Sequence, residues 1–165
     1  MDTFAGKSVA VAGAGRSGLL SARLLLAEGA RVTLWDDRPR AAVETSLREP
    51  VPPGADFRVG MPGDADIPRT DLVVLSPGVP GSRLPLATLR AARVPVWGEL
   101  ELAFRRFGGK VAAVTGTNGK STVTTLVGRM AARAFPRAAI ATSVPGGASP
   151  GRSTGRPRAG GSSSP

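Results

Sequence analysis

Cysteine and histidine are both absent from this chain of 165 residues. Without cysteine there is neither a disulfide framework nor a thiolate metal site. Without histidine the side chain that titrates near neutral pH is gone, and with it the commonest metal ligand. Long apolar runs are missing as well: the longest are strand-sized or broken by Arg and Gly, so none is expected to span a membrane. The opening Met1-Asp2-Thr3-Phe4-Ala5-Gly6-Lys7 has no basic region followed by an apolar stretch, and no signal peptide is expected. These absences lead to the expectation of a soluble cytoplasmic protein. What is present is a hydrophobic share of 41%, enough for one sizeable core. The length suits one domain, or one domain and a piece of a second.

The net charge of +10 resembles a nucleic-acid signature until it is located. Residues 1–130 hold 17 of the 22 basic residues and all 12 acids, whereas residues 131–165 hold five arginines and no acid. The rest of that final stretch is mostly Ala, Gly, Ser, Pro and Thr, with Phe135, Ile140 and Val144 as its larger apolar residues. Such a composition cannot bury enough surface to offset the entropy of ordering it, so residues 135–165 are expected to be a disordered tail. Lacking interleaved aromatics or a recognition motif, the tail gives no reason to expect a nucleic-acid partner.

Up to about residue 107 the chain alternates short β-branched runs with helical stretches, the pattern of a parallel α/β sheet. Strands are expected at 8–12, 31–35, 57–59, 72–75 and 94–96, and helices at 19–28, 84–92 and 99–106. Residues 50–68 are proline-rich and carry little periodicity. Gly108-Gly109 punctuates the chain, after which residues 111–114 read as a strand and a helix runs from the next glycine loop to about residue 132. The unit of strand, glycine loop and helix therefore occurs twice.

In the first unit, Gly13-Ala14-Gly15-Arg16-Ser17-Gly18 has the Gly-x-Gly-x-x-Gly spacing in the context that a dinucleotide fingerprint requires. Gly13 permits a tight turn, Gly15 lets the backbone approach a diphosphate, and Gly18 lets the helix pack on the strand. The helix N-terminus adds N–H groups and partial positive charge for an anion. Asp36 ends the second strand, where an acid reaches a sugar or base hydroxyl, and Asp37 and Arg38 follow it. On this loop alone an NAD-dependent oxidoreductase would be the plain reading. The second unit argues against it. Gly116-Thr117-Asn118-Gly119-Lys120-Ser121-Thr122 reads as a phosphate loop, with Lys120 placed for the transferring phosphoryl group and the Ser121 hydroxyl for Mg²⁺. The usual pattern has a glycine where this chain has Val114, so the match is to a shorter Gly-x-x-Gly-Lys-Ser form.

Residues 115–122 resemble the phosphate loop of the Mur ligases, which includes that shorter form. With residues 13–18, 36–38, Ser76-Pro77-Gly78-Val79-Pro80 and Gly98-Glu99-Leu100-Glu101-Leu102 in the same order, the resemblance covers residues 5 to about 132. It points to the branch of the family that adds D-glutamate. The resemblance implies a Rossmann-like, UDP-sugar-binding domain over 1–107, the start of an ATPase domain with its phosphate loop over 108–134, and the tail over 135–165. It implies that Gly13, Gly15, Arg16, Ser17 and Gly18, together with Asp36, Asp37, Arg38, Ser76, Pro77 and Gly78, hold the UDP part of UDP-N-acetylmuramoyl-L-alanine. Gly116, Thr117, Asn118, Gly119, Lys120, Ser121 and Thr122 would hold ATP, with Lys120 catalytic and Ser121 on Mg²⁺. The implied chemistry is an ATP-dependent amide synthesis in peptidoglycan construction. The L-alanine carboxylate is phosphorylated and the D-glutamate amine attacks the acyl phosphate. The implied protein is a monomer with no nucleic-acid or membrane partner.

The family's later acidic Mg²⁺ ligand, its histidine, its modified lysine and its D-glutamate site have no counterparts in this sequence. A truncated chain, inactive alone, is therefore expected. Where the family continues with an Asn-x-Gly-Thr-like loop, this chain has Ala141-Thr142-Ser143-Val144. The codons for those four residues, read two bases in, can encode the family's residues, so an out-of-frame tail is the expectation. The alternative is a free-standing UDP-sugar or nucleotide-binding module without catalysis.

Overall fold

The structure, a computed structural model, describes residues 3–109 and 111–135. The chain divides into two compact units, Met1–Gly109 and Lys110–Pro165. The first is built on one sheet of five parallel strands: β1 (Ser8–Ala12), β2 (Arg31–Asp36), β3 (Asp56–Val59), β4 (Leu72–Leu75) and β5 (Val96–Gly98), in the order β3-β2-β1-β4-β5. Four helices accompany them: α1 (Arg16–Ala27), α2 (Arg40–Leu47), α3 (Leu86–Ala91) and α4 (Glu99–Arg106). The α/β Rossmann-like class read from the sequence is the class of this unit.

The central position of β1 follows from its composition. A strand covered on both faces must be apolar at every position rather than alternating, and Val9, Ala10, Val11 and Ala12 are all buried. Successive side chains point to opposite faces. Val9 and Val11 join Leu72 and Val74 of β4 in one core, against Leu19, Ala22 and Leu25 of α1 and Leu102 of α4. The smaller Ala10 and Ala12 face the other way, leaving room for Trp35, Ile67, Leu84 and Leu89. In α1 the buried Leu19, Ala22 and Leu25 recur at helical spacing and lay one stripe on the sheet. Gly29, at φ +83°, lets the chain turn out of that helix toward β2.

The acids Glu99 and Glu101 stand in the first turn of α4 and the cations Arg105 and Arg106 in its last, each at the favourable end of the helix dipole. Arg106 Nε donates to Glu28 Oε1 at 2.8 Å, tying the end of α4 to the end of α1. Pairing in register brings Ala12 opposite both Trp35 and Leu75. The loops after β1, β2 and β4 consequently emerge side by side at one edge of the sheet.

Several elements differ from the sequence reading. Helix α1 starts at Arg16, three residues earlier than expected, because Gly18 is taken into the first turn. The expected helix over 84–92 is interrupted by Pro85, so a 3-10 turn at Gly81–Arg83 precedes a shorter α3. The last strand is displaced to Val96–Gly98. Pro95 has no N–H for a ladder, though its carbonyl accepts from Val73 N at 3.0 Å. Helix α2 was not anticipated: only Val43 is buried on it, and Pro39 stands at its start without a side-chain cap.

In the second unit, α5 (Lys120–Ala134) is the element found, directly after the second glycine loop. Residues 111–114, expected as a strand, pair with no strand among the described residues, and pairing is what makes an extended segment a strand. The expected disordered tail, apart from Phe135, lies outside the described residues. Among the described residues no helix is long and apolar enough to cross a membrane.

Candidate functional site

At the edge where the loops after β1, β2 and β4 meet, the three glycines of residues 13–18 answer three different needs. Gly13 has φ +100°, and a Cβ there would lie 2.7 Å from Val79 Cγ2 and 2.9 Å from Ser76 Cβ. Gly18 allows α1 to sit directly on the loop, since a Cβ would stand 1.9 Å from the Gly13 carbonyl oxygen. Gly15 has no such reason. Its φ of −73° and ψ of −178° suit any residue, and nothing lies within 4 Å of where its Cβ would be. It is the N-cap of α1, and the first turn of that helix directs N–H groups toward the open edge.

Two neighbouring strands brace this loop. The Gly13 N–H donates to the Trp35 carbonyl at 2.8 Å, and the Ser76 hydroxyl donates to the Gly13 carbonyl at 3.0 Å. The Ala14 N–H donates to Asp36 Oδ2 at 2.8 Å in a buried contact. Asp36 is only 8% exposed. It accepts further bonds from the Arg38 N–H at 3.0 Å and from Arg38 Nε at 2.8 Å, both at Oδ1. Burial raises the Asp36 pKa, yet the hydrogen bonds from the Arg38 side chain and backbone and from Ala14, with the Arg38 charge, outweigh it and leave the pKa lowered. The residue expected to reach a sugar or base hydroxyl is, in this structure, the brace of the glycine loop.

Asp36→Asn should consequently act on stability. An amide cannot accept all of these bonds, and a buried N–H left unpaired costs about 1–3 kcal/mol. Because the folded pKa is lowered, the carboxylate's contribution is complete above the unfolded value near 3.9 and disappears as pH falls through the folded value. The gap in melting temperature between wild type and variant should be full at pH 7 and shrink below about pH 4. A gap that stays constant from pH 7 to pH 3 would contradict this role.

Asp37 and Arg38 continue past the end of β2, with Pro77 and Gly78 exposed past the end of β4. Arg16 and Ser17 lie in the first turn of α1. The structure thus gathers residues 13–18, 36–38 and 76–78 at one edge. It also brings in a residue that sequence reading missed. Arg83 forks onto Asp37, with NH2 donating to Oδ1 at 2.9 Å and NH1 to Oδ2. The Arg83 hydrogen bond lowers the pKa of Asp37. No local signal announces a partner 46 residues away. Only the β2-β1-β4 order brings the two together.

The second glycine loop is a separate piece of geometry. Gly116 and Gly119 take φ +149° and +76°, and Gly119 is the N-cap of α5. The Lys120 ammonium folds back over its own loop, donating to the carbonyls of Gly116 and, at 3.2 Å, Thr117. The first N–H groups of α5 and the exposed Ser121 and Thr122 stand at the start of that helix, an end that carries partial positive charge. For Mg²⁺ the loop offers the Ser121 hydroxyl, and the described residues contain no cluster of three or more acids, histidines or cysteines. Such an ion takes its other ligands from phosphates, waters and commonly a carboxylate, so the Ser121 hydroxyl is one part of the protein's share.

Residues 7–98 match the family described as Mur ligase MurD-like, N-terminal domain. The chain is 46% identical over 129 residues to the UDP-N-acetylmuramoylalanine–D-glutamate ligase of Anaeromyxobacter dehalogenans, covering 78% of this chain and 28% of that one. It is 44% identical over 124 residues to the protein of the same name from Desulfosudis oleivorans, covering 75% and 27%. The chain thus spans little more than a quarter of the length of these relatives.

Proposed function

Since the chain belongs to the Mur ligase family through its MurD-like N-terminal domain, we propose that its first unit binds the UDP moiety of UDP-N-acetylmuramoyl-L-alanine, and that it serves an ATP-dependent ligase joining D-glutamate to that substrate in peptidoglycan synthesis. The observation that carries the reading is Gly15, a glycine required neither by its dihedral angles nor by its packing, at the N-terminus of a helix whose flanking loops are braced from both sides. A backbone kept bare at such a point suits close approach of a diphosphate to N–H groups. Asp36 and Ser76 hold the loop in shape, and Asp37, Arg38, Pro77 and Gly78 border the space above it.

The second loop would take the triphosphate of ATP. Its N–H groups and Lys120 balance phosphate charge, Ser121 contributes one oxygen to Mg²⁺, and Thr117, Asn118 and Thr122 complete the cradle. Mg²⁺ would neutralise charge between the phosphates. In the reaction, the γ-phosphoryl group passes to the L-alanine carboxylate, releasing ADP. The D-glutamate amine then attacks the acyl carbon and displaces phosphate, so one amide is formed per ATP cleaved. Positioning and charge neutralisation supply the catalysis. Cytoplasmic location follows from that substrate, and a monomer is the expected state.

Calorimetric titration of the purified chain with UDP-N-acetylmuramoyl-L-alanine is the direct test. Saturable binding, competed by UDP and not by NAD, is expected. Binding of NAD with no response to UDP would overturn the proposal in favour of an oxidoreductase-type nucleotide site.

A further inference from the structure

Four charges surround the end of β2, and they form two pairs of different character. Asp36 and Arg38 are locked together: Asp36 has a side chain only 11% exposed, and its carboxylate also holds the Ala14 and Arg38 N–H groups. Asp37 and Arg83 are half in solvent, at 53% and 43% side-chain exposure, and among the described residues each side chain is bonded only to the other. An exposed ion pair of this kind contributes little to stability and is readily exchanged for a better partner. A charge-assisted bond from a guanidinium to a phosphate is roughly twice as strong as a neutral one.

The position of the loose pair is set by topology. Asp37 leaves β2 and Arg83 belongs to the 3-10 turn after β4, the two strands flanking β1. To meet, their side chains must cross the C-terminal end of β1, where residues 13–18 begin. The loop that carries Arg83 is anchored there too, since Val79 packs against Gly13.

We propose that Arg83 is a further anion-binding residue of the nucleotide-sugar site, held ready by Asp37 and transferred to the diphosphate when the nucleotide enters. This rests on the UDP-sugar reading of the same crevice and adds to it a named donor and an exchange of partners. Asp37 then has a storage role. It keeps a long, rotamer-rich side chain extended across the opening, and once Arg83 leaves, its own carboxylate opposes the incoming phosphate charge.

That exchange predicts opposite effects for the two partners, which a merely structural bridge does not. Arg83→Met should weaken UDP binding about tenfold, the equivalent of one charge-assisted contact, and Arg83→Lys should restore part of the loss. Asp37→Asn frees Arg83 and removes a like charge, so UDP should bind several-fold more tightly. Both positions are exposed, and melting temperatures should stay near that of wild type. Titration of the wild type and all three variants with UDP by calorimetry is decisive. Equal weakening by Arg83→Met and Asp37→Asn would mark the pair as a structural strap. An Arg83→Met variant with wild-type affinity would show that the arginine takes no part. Either result overturns the inference while wild-type binding leaves the UDP reading intact, whereas a wild type that binds neither UDP nor the UDP-sugar fails at the earlier step and removes both.

Discussion

Gly18→Ala should unfold the first unit at temperatures where the wild type is intact. An alanine Cβ at residue 18 would stand 1.9 Å from the Gly13 carbonyl oxygen and 3.0 Å from the Ser76 hydroxyl oxygen. The first is a backbone atom, and it has nowhere to go. The Gly13 carbonyl accepts the Ser76 hydroxyl, the Gly13 N–H is bonded to Trp35, and the next N–H is bonded to the buried Asp36. Relief must therefore come from moving α1 away from β1, which would open the contacts of Leu19, Ala22 and Leu25 with the sheet. Overpacking in a core costs about 1–3 kcal/mol when side chains can adjust, and a clash against fixed backbone belongs at or above the upper end. At roughly 4–8 °C per kcal/mol for a domain of this size, the melting temperature should fall by about 12 °C or more. Trp35 and Trp97, the chain's two tryptophans, both belong to the first unit, so fluorescence melting reads that unit alone. A loss below about 4 °C, worth some 1 kcal/mol, would show that the loop yields and that this packing is not tight.

The strands were legible in the sequence where burial on both faces forces uninterrupted apolar runs: β1 and β4 fall on residues 8–12 and 72–75 as expected. Helix α4 was equally legible, because Glu99 and Glu101 at one end and Arg105 and Arg106 at the other agree with its dipole. Helix α2 was not. Its stretch Arg40-Ala41-Ala42-Val43-Glu44-Thr45-Ser46-Leu47 has one fully buried residue, and its stability comes from tertiary contact rather than from period or cap. The glycine loops were legible as motifs because Gly13, Gly116 and Gly119 take a positive φ and Gly18 packs against backbone, needs that only glycine meets. The partners that brace the first loop were only partly so. Asp36 could be placed at the end of β2, but its bond to the Ala14 N–H depends on the register of β1 against β2. The Asp37–Arg83 pair depends on strand order, which no local pattern carries.

Gly13 and Gly18 are explained within the protein, which makes Gly15 informative. Two other glycines, Gly78 after β4 and Gly98 as the last residue of β5, likewise have neither a positive φ nor an atom within 4 Å of a built Cβ. They too lie at the C-terminal ends of strands, the edge at which open α/β sheets bind ligands. Gly98 is the N-cap of α4 as Gly15 is of α1, but Gly15 alone of the three follows a loop braced from both β2 and β4, where a diphosphate has most to gain. A side chain at this position should then damage binding and spare folding.

Gly15→Val is the substitution that separates the two. Valine is at ease in the extended conformation that Gly15 adopts, at φ −73° and ψ −178°, and its Cβ meets no protein atom within 4 Å. Loss of glycine at an N-cap position costs up to about 1 kcal/mol, a shift of some 4–8 °C in melting temperature at most. For the ligand the outcome is different. Two methyl groups over the first turn of α1 would hold a diphosphate beyond hydrogen-bonding distance of the N–H groups beneath. Bonds to charged acceptors contribute about 1.5–3 kcal/mol each, so losing two of them lowers affinity by roughly 100-fold or more. Gly15→Ala, with a single methyl, should fall between valine and wild type. Calorimetric titration with UDP-N-acetylmuramoyl-L-alanine, paired with fluorescence melting of the same samples, measures both quantities. Wild-type affinity in the valine variant would mean that the diphosphate does not lie against this backbone. A melting temperature as low as that of Gly18→Ala would mean that the empty space above Gly15 is closed in solution, and that its glycine serves the fold after all.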